Sequence, residues 1–504
     1  MPTNTPYHSF ALPYPIRVDN FTDTLNGLPL PYNRPALHLL THTHSDHLIG
    51  LASKSFGYQI ICSSDAKEML LRHEVYAERS LFDHEYRAQK TKTYSHLKVD
   101  PCVMPSGEKF YAGSRDLLRA VPLHTPTEFE LYDNETVTIT LIDANHCPGA
   151  VMFLIEGHRG SVLHTGDVRA EPWFLSSLTR NPFLQRYLAD SAENLSVLVA
   201  RNEVIHMEAT GLVKTLEAVY LDTASLLSMT IVPSKASREY AVQGLVELIA
   251  LFPSTTFFFI NSWTWGYEDI LKGIALAFHC KIHFDRYKYA IYMNTSDPLM
   301  RALGTRDPSS TRFHACERFD RCSFVDVPPH ECGGEGFNHP LSAEGKNVVY
   351  INPVTMGSVQ WDNYKAEVKR HLLRGKNVDS LLVPLSRHSP LPELMNFVSL
   401  FRPHRVIPNT LHPPFNGLDW GAMSAMFESC VSPLPAPQPT IFSLTLNSGP
   451  PFINPALGND EIDVTIQNLV GPSSAAERWA DMGSKQSKLE VIKTWFPRGE
   501  KSKV

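Results

Sequence analysis

Short apolar runs separated by polar turns recur along most of the 504-residue chain. Three runs in the first half have the length of buried strands and predict strands at residues 36–40, 136–143 and 161–163. Further along, strand-like runs at residues 255–260 and 348–351 alternate with a helical stretch at residues 239–251. This alternation predicts an α/β module with a parallel sheet, so the pattern as a whole favours the α/β class.

Histidine and aspartate residues cluster where the first three predicted strands end. Imidazole nitrogen and carboxylate oxygen both suit zinc. Two cations close together can hold a hydroxide and stabilise both oxygens of an in-line displacement. The pattern therefore predicts a two-metal hydrolase centre with the ligands His42, His44, Asp46, His47, His146 and Asp167.

The local geometry of the first cluster can also be predicted. Ser45 is the predicted N-cap of a helix that carries Asp46 and His47. In the extended chain before it, two-residue alternation would point His42 and His44 the same way, while the first helical turn would aim Asp46 and His47 at a neighbouring site. One loop could then serve two metals. A carboxylate with two oxygens at position 167 could bridge them.

These residues resemble the metallo-β-lactamase fold of nucleases. Asp19 matches the first motif of that family, residues 42–47 the second, His146 the third and Asp167 the fourth. Tyr220-Leu221-Asp222-Thr223 resembles motif A of the β-CASP subgroup, and Pro384-Leu385-Ser386-Arg387-His388-Ser389 resembles motif B, which together mark a nucleic-acid-processing branch. The resemblance implies an αββα metallo-β-lactamase sandwich with an inserted α/β β-CASP cap domain.

The order of the motifs predicts four segments. The first part of the metallo-β-lactamase domain should span residues 10–230, and the β-CASP insertion should span residues 231–345. The metallo-β-lactamase domain should return over residues 346–425, which carry motifs B and C. Proline-rich composition after that point predicts a linker and tail at residues 426–504.

The resemblance also implies catalytic roles. Once hydroxide attacks phosphorus, the departing sugar oxygen needs a proton, and an imidazolium beside a carboxylate can give one. His388 is therefore the predicted general acid, and Asp222 is predicted to orient it. Asp46 is similar to the family residue that also orients the attacking water. The alternative for Asp222 is a simple cap at a strand end.

Motif C distinguishes substrates within the subgroup. Members that process RNA carry a metal-binding histidine there, whereas this chain has Thr410, which favours DNA. The first metal, with His42, His44, His146 and Asp167, then has a complete ligand set. The second is expected to bind more weakly, with Mg²⁺ or Mn²⁺ as alternatives to Zn²⁺ in vitro. His412 is an open alternative for the missing ligand.

A second constellation combines imidazoles with thiolates, which suits a closed tetrahedral structural zinc. It resembles the extra zinc site of Artemis-like nucleases in the DNA repair branch. Cys322, His330 and Cys280 lie close by in sequence and could replace one ligand, and cysteines scattered in a loop are the alternative without metal. The predicted ligands are His283, His314, Cys316 and Cys332.

Composition narrows the setting. Eight cysteines without regular pairing suit a reducing compartment. No apolar run approaches the roughly 20 residues needed to span a bilayer, and residues 1–10 lack the form of a signal peptide. The net charge is −6, but basic residues crowd one probable helix before motif B and the end of the chain. Either group could contact phosphates or simply be a solvated surface.

Taken together, the motifs imply a zinc-dependent DNA nuclease with endonuclease and 5′ exonuclease activity. It would trim single-stranded ends, overhangs and hairpins in the nucleus during double-strand-break repair by non-homologous end joining, with end-joining proteins as partners and no membrane association. Motif B continues as His388-Ser389-Pro390 where many relatives have a second serine, which puts the exonuclease preference in question. The alternatives are a crosslink-repair 5′ exonuclease of the same branch, an RNA-processing endonuclease and an inactive scaffold.

Overall fold

The computed structural model describes residues 5–23, 25–99, 102–110, 115–189, 214–228, 237–262, 264–326, 347–412, 415, 417–433 and 485–495. The chain forms two compact units, each assembled from separate stretches of sequence. The first unit comprises Met1–Ala66, Asp116–Pro233 and His388–Val504, and the second comprises Lys67–Arg115 and Ser234–Arg387. The first unit is therefore interrupted twice and resumes at His388.

The first unit contains two sheets, whose strands are numbered here in chain order. A parallel four-stranded sheet has the order β1 (Ile16–Val18), β2 (Leu37–Leu39), β3 (Ile60–Cys62) and β8 (Leu118–Ala120). A mixed six-stranded sheet has the order β20 (Val406–Pro408), β13 (Ala218–Leu221), β12 (Gly160–His164), β11 (Val151–Gly157), β10 (Thr136–Asp143) and β9 (Thr127–Glu130). Strands β12, β13 and β20 run parallel, so their carboxyl ends lie at one edge.

Side chains of the six-stranded sheet alternate between two cores, as two-residue periodicity requires. Phe153 and Ile155 on β11 pack in one core with Leu39 of the four-stranded sheet. Met152 and Leu154, on the opposite face, pack against helices. These helices are α3 (Pro172–Leu178), α9 (Leu391–Phe401), α10 (Leu418–Met426) and α11 (Lys485–Trp495). Two sheets with a shared core and helices outside are consistent with the predicted αββα sandwich.

The second unit is built on a parallel six-stranded sheet. Its order is β16 (Gly304–Thr305), β15 (Ile282–His283), β17 (Phe313–His314), β14 (Phe257–Ile260), β18 (Val348–Val354) and β19 (Ser380–Pro384). Its helices are α2 (Tyr76–Asp83), α4 (Arg238–Ile249), α5 (Glu268–Ala277), α6 (Arg286–Tyr292), α7 (Pro298–Leu303) and α8 (Ser358–Leu373), while α1 (Ser64–Arg72) crosses from the first unit. The remaining strands are β4 (Lys98–Val99), β5 (Cys102–Val103), β6 (Lys109–Phe110) and β7 (Arg115–Asp116). The parallel sheet predicted for the inserted module is confirmed.

One local prediction differs from the structure. Ser45 is not an N-cap, because His44 takes that position and Ser45–His47 forms a single 3₁₀ turn. The helix does not continue because the chain after it forms a β-bridge at Ile49. In this bridge the Phe21 N–H donates to the Ile49 carbonyl at 2.8 Å. Residues 485–495, within the predicted tail, form α11 and bury Leu489, Val491 and Ile492 in the first unit's helix-side core. None of the described helices has the length and hydropathy needed to cross a membrane.

Candidate metal centres

The histidine-rich loop after β2 is held by a buried carboxylate. Asp19 accepts the Thr41 N–H at 2.8 Å and the Thr41 hydroxyl at 2.6 Å. Thr41 Oγ1 also lies 3.0 Å from His42 Nδ1. Since the threonine has one proton and gives it to Asp19, His42 Nδ1–H must donate to Thr41. A neutral His42 then presents the lone pair of Nε2, the form in which imidazole binds metals.

Three imidazoles and one carboxylate meet at this lone pair. His44 Nδ1 lies 2.9 Å from His42 Nε2 and 3.1 Å from His146 Nε2. Asp167 Oδ2 lies 3.5 Å from each of those two Nε2 atoms. Burial, together with the charge of His47, holds the pKa of His42 well below its ordinary value, so His42 is neutral. Ring nitrogens that converge beside a carboxylate fit a metal ion better than they fit one another as hydrogen-bond partners.

The second predicted ligand set shares Asp167. His47 Nδ1 donates to Asp19 at 2.7 Å, while its Nε2 is buried without a hydrogen bond, 3.3 Å from Asp167 Oδ2 and 3.8 Å from Asp46 Oδ2. Burial would lower the pKa of His47, but Asp167 and Asp19 outweigh it and raise that pKa well above its ordinary value. The raised pKa means that Asp167 and Asp19 stabilise positive charge at this position. The position therefore suits a bound cation.

A glycine allows the loops that carry these ligands to approach each other. Gly166 has a φ of +55°, and a Cβ there would lie 2.7 Å from the Cβ of Thr41. Its carbonyl accepts the Asn409 side-chain amide at 2.7 Å. Any larger residue would push the turn that carries Asp167 away from the loop that carries His42.

An aspartate–histidine pair lies beside the shared carboxylate. His388 Nδ1 is 2.9 Å from Asp222 Oδ2 and 3.9 Å from Asp167 Oδ2. Asp222 also accepts the Val168 N–H at 2.9 Å and the Ala224 N–H at 3.0 Å, which fixes its orientation. Through Nδ1, Asp222 holds the His388 ring beside Asp167.

The structure thus brings together all six predicted catalytic metal ligands, Asp222 and His388. It adds one donor that the sequence reasoning missed, since Cys147 lies with the ring nitrogens of His42, His44 and His146 within 4.8 Å. Its position directly after His146 was the available signal.

The motif C residues lie elsewhere. The Thr410 carbonyl accepts the Thr223 hydroxyl, which ties the ends of β13 and β20 together. His412 belongs to none of the metal-donor groups found among the described residues. It lines a small pocket with Thr223, Thr410 and Asp419. Burial and then the charge of Lys488 lower the pKa of His412 to about 3.

A second cluster of donors lies in the second unit. The register of β15 and β17 sets His283 opposite His314, with their Nδ1 atoms 3.2 Å apart. Cys322 Sγ is 3.3 Å from His314 Nδ1, and His283, Cys316 and Cys322 have donor atoms within 4.8 Å of one another. A hydrogen bond with Cys316 is the main cause that lowers the pKa of the Cys322 thiol to about 7. Cys332, the predicted fourth ligand, lies outside the described residues.

A buried lysine holds the backbone of this second cluster. The Lys288 ammonium donates to the carbonyls of Ser262 at 2.7 Å and Ala315 at 2.9 Å, and it lies 3.5 Å from that of Cys316. This fixes the chain on both sides of Cys316. Two imidazoles and two thiols are the donor set of a closed structural zinc site.

Paired ligand sets at the strand ends of a two-sheet α/β sandwich define the metallo-β-lactamase fold class. Residues 298–413 match the family model described as DNA repair metallo-beta-lactamase. The resemblance seen in the sequence to Artemis-like proteins of this family is confirmed by relatives that match most of the chain.

Three of these relatives illustrate the extent of the match. Artemis of Gallus gallus is 26% identical over 419 residues, which are 79% of this chain and 47% of that protein. Artemis of Homo sapiens is 25% identical, covering 75% of this chain and 46% of that protein. The 5′ exonuclease Apollo of Rattus norvegicus is 26% identical, covering 75% and 51%. The chain spans about half the length of the curated relatives it matches.

Proposed function

We propose that this chain is a metal-dependent DNA nuclease that hydrolyses phosphodiester bonds at DNA ends, overhangs or hairpins. The observation that carries the proposal is the sharing of Asp167. Its Oδ2 lies within 3.5 Å of ring nitrogens of His42, His47 and His146, and 3.9 Å from the aspartate-held His388. Paired cations and an adjacent proton donor are what an in-line displacement at phosphorus requires.

The catalytic metals are proposed to be zinc. His42, His44, His146 and Asp167 would hold the first ion, and Asp46, His47 and Asp167 the second. When bound, such ions would lower the pKa of a water molecule and stabilise charge on the phosphate oxygens. Since Thr410 offers no imidazole, the second ion should bind more weakly, with Mg²⁺ or Mn²⁺ as substitutes in vitro.

Proton transfers are assigned to residues of the chain itself. Asp46 would orient the attacking water and accept its proton as the new phosphorus–oxygen bond forms. His388 would give a proton to the sugar oxygen as the old bond breaks. Asp222 would keep His388 charged and correctly turned, since a carboxylate on Nδ1 favours the imidazolium.

The third proposed metal is a structural zinc in the second unit, bound by His283, His314, Cys316 and a further cysteine. Cys332 was the predicted fourth ligand. The position of Cys322 beside His314 makes it the alternative, and zinc content in the two cysteine variants distinguishes them. Cys316 is buried and Cys322 half-buried, and neither forms a disulfide, so thiols beside imidazoles support a metal here.

The biological setting is proposed from the relatives. Similarity to Artemis supports a role in the nucleus in double-strand-break repair by non-homologous end joining, with end-joining proteins as partners. Similarity to Apollo, whose name gives a 5′ exonuclease, supports the second candidate, a 5′ exonuclease of the crosslink-repair kind. The His/Cys cluster favours the first candidate, because the crosslink-repair branch is expected to lack those ligands.

A cleavage assay tests the proposal. Purified protein of residues 1–504 is incubated with 5′-labelled hairpin, overhang and blunt DNA and with RNA of the same sequences, with and without a chelator. The expected result is internal cuts in hairpins and overhangs, little RNA cleavage, and loss of both DNA activities on chelation. Mononucleotide release from 5′ ends with intact hairpins would favour the second candidate. Equal RNA cleavage, or chelator-insensitive DNA cleavage, would refute the proposal.

A further inference from the structure

Basic residues crowd the C-terminal end of α8 in the second unit. This α8 cluster is defined as Lys369, Arg370, Arg374 and Lys376. All four residues are exposed, and so is Leu373 between them, at 74%. The cluster spans roughly 10 Å of helix length at about 1.5 Å per residue.

Several other basic residues of the same unit have acidic partners. Arg286 lies 2.6 Å from Glu74, Lys365 lies 3.1 Å from Asp362, and Arg238 lies 3.3 Å from Asp269. Within the described part of the chain, no member of the α8 cluster forms an ion pair. Four unneutralised charges therefore lie side by side.

At the end of α8 the backbone turns back, so that Lys376 lies against the last turn of the helix. Gly375 has a φ of +68°, a conformation that favours glycine at the end of a helix. The Gly375 N–H donates to Leu372 at 3.0 Å and the Lys376 N–H donates to His371 at 3.0 Å. These two bonds close the helix end and place Lys376 beside the turn that carries Arg374.

The helix beneath the cluster is anchored. Trp361 is fully buried and Val368 is 5% exposed, and both belong to the core of the second unit. The charges are therefore presented on a fixed support. This matters because less side-chain and backbone freedom is lost when such a surface binds a ligand.

Helix electrostatics alone account for only part of this arrangement. A cation near a helix C-terminus gains about 0.3–1 kcal/mol from the dipole. Like charges at i and i+4, such as Arg370 and Arg374, repel by roughly 0.2–0.5 kcal/mol per pair. A repeating anion would relieve this repulsion. Duplex DNA offers about one charge per 1.7 Å of its axis, enough to face the whole cluster at once.

We propose that the α8 cluster binds the phosphate backbone of the DNA substrate without reading its sequence. The inference rests on the proposed nuclease function and extends it by naming a DNA contact in the second unit. A small phosphate compound is a poorer fit, since the four side chains are spread over an exposed helix end. The contact is electrostatic, so it should weaken as salt increases.

The test measures DNA binding separately from cleavage. Metal-loaded protein of residues 1–504 carrying His388→Ala, which slows cleavage of the DNA, is titrated into a fluorescein-labelled duplex. Anisotropy gives Kd between 50 and 200 mM KCl, a range in which phosphate contacts dominate. Replacing all four cluster residues by glutamine should weaken binding about tenfold or more and reduce the salt slope by about 4, or one per lost phosphate contact.

A matched pair of double variants supplies the control. Arg374→Gln with Lys376→Gln should reduce the salt slope by about 2. Arg301→Gln with Arg306→Gln removes the same charge from exposed positions of the same unit and should leave the slope as it was. Melting curves should be unchanged in both. An unaltered slope in the fourfold variant, or an equal change in the control pair, overturns the inference.

The outcomes separate this inference from the proposed function. If the original chain cleaves DNA while the fourfold variant binds like it, the inference fails and the nuclease proposal stands. If the chain binds DNA through the α8 cluster but cuts no substrate, the inference stands and the nuclease proposal fails. If the chain binds no DNA at any salt concentration, both are wrong.

Discussion

The donor clusters of the first and second units share one feature. Each contains a pair of histidines whose ring nitrogens lie close together. His42 Nε2 and His44 Nδ1 are 2.9 Å apart, and His283 Nδ1 and His314 Nδ1 are 3.2 Å apart. The first cluster adds carboxylates, which can serve as shared ligands and proton acceptors. The second adds thiols, which bind zinc strongly as thiolates.

This difference distinguishes the proposed catalytic centre from the proposed structural zinc site. In the first unit, burial would raise the pKa of Asp167, but His47 and His388 hold it well below its ordinary value. The charges there are tightly coupled, so a change in one group affects its neighbours. In the second unit, burial and then the charge of His283 lower the pKa of His314 to about 4, although a hydrogen bond with the Thr311 backbone partly opposes them. That histidine stays neutral at physiological pH, as a permanent ligand should.

The largest expected effect comes from removing the proton donor. His388→Ala should reduce single-turnover DNA cleavage by roughly 10²–10⁴-fold, the usual contribution of a general acid. The zinc content should be unchanged. His84→Ala, at an exposed histidine of the second unit, is the control and should cleave normally. Wild-type cleavage by His388→Ala would remove this residue from the mechanism and erase the functional contrast between the two clusters.

A smaller effect is expected from the carboxylate behind the ligands. Asp19→Asn leaves all proposed catalytic ligands in place but weakens the hold on His47 and Thr41, so metal affinity of the first unit should fall about 10–100-fold. Competition with a zinc-binding dye measures this affinity. The neighbouring exposed Asp23→Asn should have no effect. An equal loss of the second unit's zinc would contradict the independence of the two clusters.

The second cluster should affect stability rather than chemistry. Cys316→Ser should remove one zinc per chain, measured by plasma emission, and lower the melting temperature. A loss of about 2 kcal/mol would lower Tm by roughly 4–8 °C for a unit of this size. Cleavage at low temperature should persist.

Two further variants identify the last ligand of that cluster. Either Cys322→Ser or Cys332→Ser should reproduce the zinc loss, and Cys280→Ser is the control. If none of the cysteine variants loses zinc, the donor cluster of the second unit binds no metal. It then resembles the donor cluster of the first unit only in the arrangement of its histidines.

The smallest effect concerns a histidine that belongs to neither cluster. His38 stacks on Phe21 at 5.6 Å, and burial and then the charge of Arg17 lower its pKa to about 3. Below pH 6.5 His38 becomes protonated in the unfolded chain but stays neutral in the folded chain. The free energy of unfolding therefore decreases as the pH falls toward 3. His38→Leu should reduce that slope by about 1 kcal/mol per pH unit, measured by urea unfolding between pH 4.5 and 6. An unchanged slope would mean that His38 is protonated in the folded chain.

The sequence alone predicted the position of those site residues that directly follow strands. Asp167 follows β12 and Asp222 follows β13, and since these strands are parallel neighbours, the two carboxylates had to emerge at one edge. The convergence of His42, His44 and His146 followed from motif order. The fold class was predictable for the same reason, because alternating elements dictate layers.

Other features depend on contacts distant in sequence. The short turn at Ser45–His47 is set by the bridge between Asn20 and Ile49, which no local propensity encodes. The approach of Cys322 to His314 depends on how one loop folds across β17. The place of α11 in a core depends on partners more than fifty residues away. Periodicity predicts an element more readily than its packing partner.

The position of α11 has a consequence for how the molecule is made. Leu489, Val491 and Ile492 complete the core that also contains Leu226 and Leu227, just after Asp222. During synthesis the six proposed metal ligands and Asp222 leave the ribosome before α11, which packs in the same core as Leu226 and Leu227. The order of translation therefore separates the synthesis of the ligands from the completion of the core behind the Asp222 turn.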